Sequence, residues 1–245
     1  MSKMPGAAIA AAILVAFLPH AASAQLLGGS SRVKLDREFT FPAGQPVRIV
    51  VFRPDVSVGA LTSGGVQQAN AEWTESARSN LVEAVRSNLA ADMGEAAFLG
   101  EQDGENAAYV TQYQSLFRAV GGAIVTHKFG AQKLPTKKGK FDWTLGPGAA
   151  HLGEIGNGNY GLFLYTKDNF GTGGRKALQI IAAFARVSVP AGIHQSYAAL
   201  IDLATGQIVW FNVDFQSGGD PRTSEGAAKR IGQLLKTLPG RGKRS

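Results

Sequence analysis

Hydrophobic positions along the chain switch between a period of two and a period near four, and the switches mark the elements. Val47-Arg48-Ile49-Val50-Val51-Phe52 is a β-branched run stopped by Pro54, and Val56 and Val58 alternate after it, so an early strand is predicted. Trp73, Ala77, Leu81, Val85 and Leu89 recur every four residues with Arg78, Glu83 and Arg86 between them, the stripe of an amphipathic helix. Ala96 to Leu99 reads as a short strand. Tyr109, Tyr113, Leu116, Phe117, Val120 and Ile124 then return to helical spacing up to about His127. Gly121-Gly122 inside this second helix costs roughly 1 kcal/mol per glycine relative to alanine, so the pair signals a close packing contact or an early end.

The stretch from Gly130 to Gly158 is dense in Gly, Lys and Pro and holds at most a short helix around Ala149 to Ile155. Tyr160 to Tyr165 is a continuous apolar run, as expected of a strand covered on both faces. Lys176 to Pro190 is apolar on nearly all sides, yet too short and too interrupted by Arg186 to span a bilayer as a helix. It reads as a buried strand or helix, or else as an oligomer contact or membrane-inserted hairpin. The clearest pattern lies in Ser196 to Phe215. There Val209, Phe211, Val213 and Phe215 alternate with Ile208, Trp210, Asn212 and Asp214, and Asp202 to Gln207 carries turn chemistry, which predicts an antiparallel hairpin. Asp220-Pro221 fits an N-cap with proline at the first helical position. Ala227, Ile231, Leu234, Leu235 and Leu238 then lay down a last apolar stripe ended by Pro239-Gly240. The order predicts one α/β domain over 45–239, a mixed sheet with a C-terminal antiparallel hairpin packed by helices, without internal repeats. A flexible lead-in over 25–44 precedes it and a basic tail over 240–245 follows.

The first 24 residues supply an address. Lys3 gives a positive start, Gly6 to Leu18 form a short apolar run, and Ala22-Ser23-Ala24 precedes Gln25, the pattern of a secretory signal peptide cleaved after Ala24. A periplasmic location follows, and the position where a bacterial lipoprotein carries its lipidated Cys is Gln25, so that kind of anchor is not expected. The 245 residues are 44% hydrophobic, enough to bury a core, and contain no Cys, which removes disulfides, thiolate nucleophiles and Cys-ligated metals. The net charge of +7 is unevenly placed. Lys133, Lys137, Lys138 and Lys140 crowd one loop, and Arg241, Lys243 and Arg244 lie in the last five residues; without them the exported chain is close to neutral. These cations either keep loop and tail solvated or touch anionic lipid headgroups or lipopolysaccharide. A nucleic-acid face would spread its charge over structured elements with aromatic residues between, and none is expected.

Motifs for catalysis are sparse. Gly156-Asn157-Gly158-Asn159-Tyr160-Gly161 has the letters of a dinucleotide fingerprint but precedes a strand instead of following one, and Gly171-Thr172-Gly173-Gly174-Arg175-Lys176 lacks the order of a phosphate loop. No cofactor is expected. His127, His151 and His194 are isolated; His151 and Glu154 could share a helix face, but two ligands do not make a metal site. Ser31 and Lys34 have the spacing of a Ser-x-x-Lys pair but fall in the lead-in. Asp142, Glu154, Asp168, Asp202, Asp214 and Asp220 could converge in space as acid and base, although their spacing does not predict it. Trp210 and Phe211 are neighbours in one strand and point to opposite faces. Both are core if a helix covers each face; otherwise one anchors a partner. The candidate partner-binding set is therefore Trp210 with Arg175, Lys176 and Arg186.

Ala199-Leu200-Ile201-Asp202-Leu203-Ala204-Thr205-Gly206-Gln207-Ile208-Val209-Trp210 resembles one strand pair of a quinoprotein-type propeller, but a propeller needs that phrase several times and it occurs here once. The arrangement from about Val47 to Pro239 is more similar to bacterial envelope proteins grouped around the curli secretion lipoprotein CsgG, the penicillin-binding-protein activator LpoB and the N-terminal domain of TolB. Those begin with a strand and a long helix and often carry such a hairpin before a last helix. The resemblance implies envelope assembly, secretion or synthase activation through protein contacts, without catalysis; Gln25 departs from the anchored Cys of lipoprotein relatives. Three readings follow: an accessory protein binding another envelope component, a ring-forming secretion subunit to which Lys176 to Pro190 contributes, and a cell-wall glycan-acting enzyme with two carboxylates about 5 to 9.5 Å apart.

Overall fold

A computed structural model describes residues 39–90, 96–184, 192–214 and 218–240. Its sheet is built around one long strand, β5 (Tyr160–Gly171). Along one edge β5 pairs in parallel with β1 (Ile49–Val51) near its start and with β2 (Asp55–Leu61) near its end. Along the other edge it pairs antiparallel with β6 (Gly192–Asp202), and β6 pairs antiparallel with β7 (Ile208–Asp214). β4 (Ala96–Phe98) extends the sheet in parallel beside β1, and β3 (Gln67–Ala69) antiparallel beside β2. The result is a single mixed α/β domain closed by the predicted C-terminal hairpin.

Alternation of side chains divides the interior into two cores. Leu162, Leu164, Ala198, Leu200 and Trp210 face α1 (Ala71–Ala90) and α5 (Ser224–Leu234), meeting Leu81, Val85, Leu89, Ile231 and Leu234. Phe163, Tyr197, Ala199, Phe211 and Val213 face α2 (Gly104–Ile124) and α3 (Ala149–Gly156), meeting Phe117, Ile124, Ala149 and Leu152. A helix therefore covers each face of the strand that carries Trp210 and Phe211, and both rings are core. The stripe from Ala77 to Leu89 is the buried side of α1, as its spacing predicts.

The hairpin turn satisfies its own polar groups. Thr205 N donates to Asp202 Oδ1 (3.2 Å), Gly206 N to the Asp202 carbonyl (2.7 Å) and Gln207 N to Thr205 Oγ1 (3.2 Å). Gly206 has φ +73, and a Cβ there would stand 1.9 Å from the Gly146 carbonyl oxygen, so only glycine fits. Its own carbonyl accepts from Leu145 N (2.8 Å) and Thr144 Oγ1 (2.9 Å), docking the preceding loop onto the turn.

Several expectations are corrected. The early strand is two, because Pro54 cannot donate to the ladder and the pairing resumes at Asp55. β5 runs six residues beyond Tyr165. Thr223, not Asp220, caps α5, accepting from Gly226 N (3.1 Å), because the Asp220 carboxylate is occupied by the guanidinium of Arg222 (2.6 Å to Nη2). Phe39 and Phe41 pack edge-on against Tyr160, with ring centroids 5.9 and 4.9 Å away, so folded structure begins before Gln45. The signal sequence, Ser31, Lys34, Arg186, Arg241, Lys243 and Arg244 lie outside the described residues.

Of the two helical glycines, Gly121 lies against the buried Tyr197 ring, whose Cε2 would be 2.3 Å from an added Cβ, whereas Gly122 has open space around it. Gly121→Ala is expected to lower stability by about 1–3 kcal/mol through overpacking, and Gly122→Ala to leave it unchanged or raise it by up to about 1 kcal/mol. Urea unfolding midpoints separate the two; equal shifts would contradict this packing.

Candidate functional site

The end of the sheet where β5 stops carries the least ordinary surface of the molecule. α4 (Gly173–Phe184) links β5 to β6 there. At 100° per residue, Arg175, Gln179 and Ala182 share one side of this helix and Ala177, Leu178 and Ile181 another. Arg175 and Ala182 are buried, while Ala177, Leu178 and Ile181 are exposed, Ile181 to 66%. Among the described side chains of this helix, a charged residue, Arg175, is thus buried while two large apolar ones, Leu178 and Ile181, are exposed. What holds the helix is the Arg175 guanidinium, whose Nη1 donates to the Thr62 carbonyl (3.2 Å) in the connection between β2 and β3. The same connection exposes Val66 to 60%, so three large apolar side chains, Val66, Leu178 and Ile181, stand open at one end.

Beneath this end lies a buried polar network. Asp168 on β5 and Arg230 on α5 are both buried and bonded, Nη1 to Oδ2 at 2.6 Å. Arg230 also donates to Ser196 Oγ (3.2 Å) and to the Gly219 carbonyl (2.5 Å), and Ser196 Oγ meets Thr166 Oγ1 at 3.1 Å. The other Asp168 oxygen lies 3.0 Å from His194 Nδ1. Because Asp168 and His194 are paired residues on the two strands that lead into and out of the α4 connection, the network ties the root of that connection to α5. Next to it, the Arg222 guanidinium lies over Phe170 (3.9 Å) and Trp73 (4.5 Å). Arg222 holds the Asp220 carboxyl below the usual carboxylate range, so its contribution to stability is present above that range and is lost as pH falls through the lowered value. Arg222 also borders a shallow cleft of about 550 Å³ on α1, lined by Glu72, Glu75, Ser76, Ser79 and Asn80.

The candidate residues read from the sequence are scattered. Trp210 is 5% exposed, with its indole donating to Thr237 Oγ1 (3.3 Å), so it packs α5 and offers no surface for a partner. Arg175 is an inward-facing strut, and Lys176 is exposed beside the apolar stripe. Lys133, Lys137, Lys138 and Lys140 do share one loop, near the opposite end of the sheet. Of the dispersed carboxylates, the buried Asp214 stands opposite Ser196, a member of the Asp168 network, and the others are engaged as follows. Asp142 bonds Lys137 (2.9 Å), which lowers its pKa; Glu154 bonds His151 (2.7 Å); Asp202 serves the hairpin turn; Asp168 and Asp220 hold arginines. Tyr109 and Tyr113 latch α2 to α3, Tyr109 donating to the Gly148 carbonyl (2.8 Å). Burial and the neighbouring Tyr109 push the Tyr113 hydroxyl up to about 12. Among the described residues no group of three or more His, Asp or Glu could hold a metal ion, and no helix is long and apolar enough to cross a membrane.

Sequence reasoning missed the Asp168–Arg230 pair and its link to His194. One signal was present: Arg230 falls on the stripe shared by Ala227, Ile231 and Leu234, a core position.

Fold and surface together define a single-domain α/β protein with one apolar end and one basic loop. No family model matches the chain and no curated protein matches it. Among solved structures it is similar to a variant PelC dodecamer from Paraburkholderia phytofirmans (11% identity, 86% of this chain and 99% of that one, TM-score 0.38). It is also similar to lipoprotein GNA1162 from Neisseria meningitidis (13%, 69% and 81%, TM-score 0.29) and to the LpoB C-terminal domain from Salmonella enterica (15%, 68% and 79%, TM-score 0.24). At TM-scores below 0.5 no property of those proteins passes to this chain.

Removing one member of the buried pair leaves the other charged and unpaired, at a cost of about 3–5 kcal/mol. Arg230→Met is therefore expected to unfold at clearly lower denaturant than the wild type, and Arg230→Met with Asp168→Leu to recover much of the loss. A single variant as stable as the wild type would show the pair to be dispensable.

Proposed function

We propose that this protein is a non-enzymatic accessory protein of the bacterial periplasm that docks onto another envelope protein through α4. The observation that carries this reading is the exposure of Leu178 and Ile181 on a helix whose Arg175 is buried. A helix of a lone domain lowers its free energy by turning its apolar stripe inward, at roughly 1.5–3 kcal/mol for each large side chain buried. Here Leu178 and Ile181 face outward while Arg175 is used inside as a strut, an arrangement that makes sense when a second surface covers the stripe. The secretory signal read in residues 1–24 supplies the compartment. The exposed end offers Val66, Ala177, Leu178 and Ile181 with Lys176 at their side, so the complementary partner surface is an apolar groove with an acidic rim.

Ile181→Asp places a charge in the middle of that stripe. With a photo-reactive side chain at Ala177 and irradiation in cells, one envelope protein is expected to be captured by the wild type. Capture should fall on the order of 30-fold or more in the Ile181→Asp variant, with the unfolding midpoint unchanged. Capture of other copies of the chain alone would replace this reading with the homo-oligomeric ring, and no capture at all would refute docking at α4.

A further inference from the structure

The lysine-rich loop carries an inference independent of α4. From Lys128 to Lys140 five lysines stand in thirteen residues, and the nearest carboxylates along the chain are Glu105 and Asp142. Asp142 is already taken by Lys137 (2.9 Å), whose ammonium also lies 4.7 Å from the centre of the Trp143 ring. The loop is closed on itself. Lys128 Nζ donates to the Gly139 carbonyl (2.5 Å), Lys133 Nζ to the Lys128 carbonyl (2.5 Å) and Lys137 Nζ to the Asp142 carbonyl (3.1 Å). Its C-terminal end is fixed too, for Thr144 bridges Gln207 and Ile208 N donates to the Trp143 carbonyl (2.9 Å) at the β6–β7 turn. Like charges are thus held together on a fixed surface instead of being carried on an open arm, and Lys133, Lys138 and Lys140 are exposed on it.

We infer that this loop docks the protein on an anionic lipid surface. The charges are all lysines. Recognition of one discrete phosphate or carboxylate favours the planar fork of arginine, whereas point-like ammonium groups suit the diffuse field of many headgroups. Trp143, half-buried in the same loop, is an aromatic of the type that settles at a membrane–water interface. The loop's C-terminal end is anchored at the β6–β7 turn, near the start of β5, whereas α4 leaves where β5 ends.

The test is flotation of the purified exported protein with vesicles of phosphatidylcholine, with and without about one-third phosphatidylglycerol, at low and at several-fold higher NaCl. The wild type is expected to float with the anionic vesicles only, and to be released as salt rises. Lys133→Gln, Lys138→Gln and Lys140→Gln combined should weaken partitioning about a hundredfold, roughly five-fold per lysine. The same three positions changed to Arg should retain it. Equal flotation with neutral vesicles, salt-insensitive binding, or a Gln variant that floats like the wild type would overturn the inference. So would binding to an anionic polysaccharide with none to vesicles. No partner protein is present, so the result is independent of what α4 contacts.

Discussion

β5 is paired along both edges and covered on both faces, and the rest of the molecule is arranged to make that possible. Twelve residues of backbone must find partners without water. β1 and β2 in succession satisfy one edge, and β6 runs the full length of the other. Its side chains are apolar as far as Tyr165 and sit between the two helical layers. Beyond Tyr165 the strand turns polar while staying buried, with Thr166, Asp168 and Asn169 all nearly inaccessible. At that end Arg230 comes from α5 to meet the carboxylate, and Ser196, Thr166 and the Gly219 carbonyl take further donors and acceptors, while Arg230 Nε and Asn169 Nδ2 are buried without a protein partner. A buried ion pair of this kind gives little net stability over an apolar pair, but it fixes which residues stand opposite one another. Here it ties β5 to α5, while Asp168 and His194 stand opposite one another in the register of the two strands at the root of α4.

That register connects the core to the surface. α4 is joined to the sheet by two strands whose ends are clamped by Asp168 and His194, and its near end is braced by Arg175 against the β2–β3 connection. Arg175 and Ala182 occupy the inward side of this helix, and Leu178 and Ile181 stand outside it.

Much of this was legible in the sequence where one period dominated. The four-residue stripe from Trp73 to Leu89 and the alternation from Ile208 to Asp214 each match their elements, because each has one face against a core and the other toward solvent or a second layer. The break between β1 and β2 was not legible as two strands, since both lie on one edge of β5 and Pro54 interrupts only the hydrogen bonds. The polar half of β5 was hidden for a different reason. Thr-Lys-Asp-Asn has no strand pattern until Arg230, 62 residues from the aspartate, makes its burial tolerable. Periodicity also reports that a helix has a stripe without reporting which way it turns. The sequence of α4 is compatible with burial, and the contact from Arg175 to the Thr62 carbonyl and the exposure of Leu178 and Ile181 appear only in the fold.

The basic loop shows the complementary limit. Its charge was visible as composition, yet composition does not distinguish a solvated arm from a fixed surface. The distinction comes from where the ammonium groups go: three bond backbone carbonyls within the loop, and the glycine of the hairpin turn, Gly206, carries the carbonyl that receives Leu145 and Thr144. The Asp-x-x-Thr-Gly turn thus serves two purposes, reversing the chain between β6 and β7 and anchoring the loop to a rigid end of the sheet. The basic loop is thus attached near the start of the central strand, and the helix that exposes Leu178 and Ile181 follows its end.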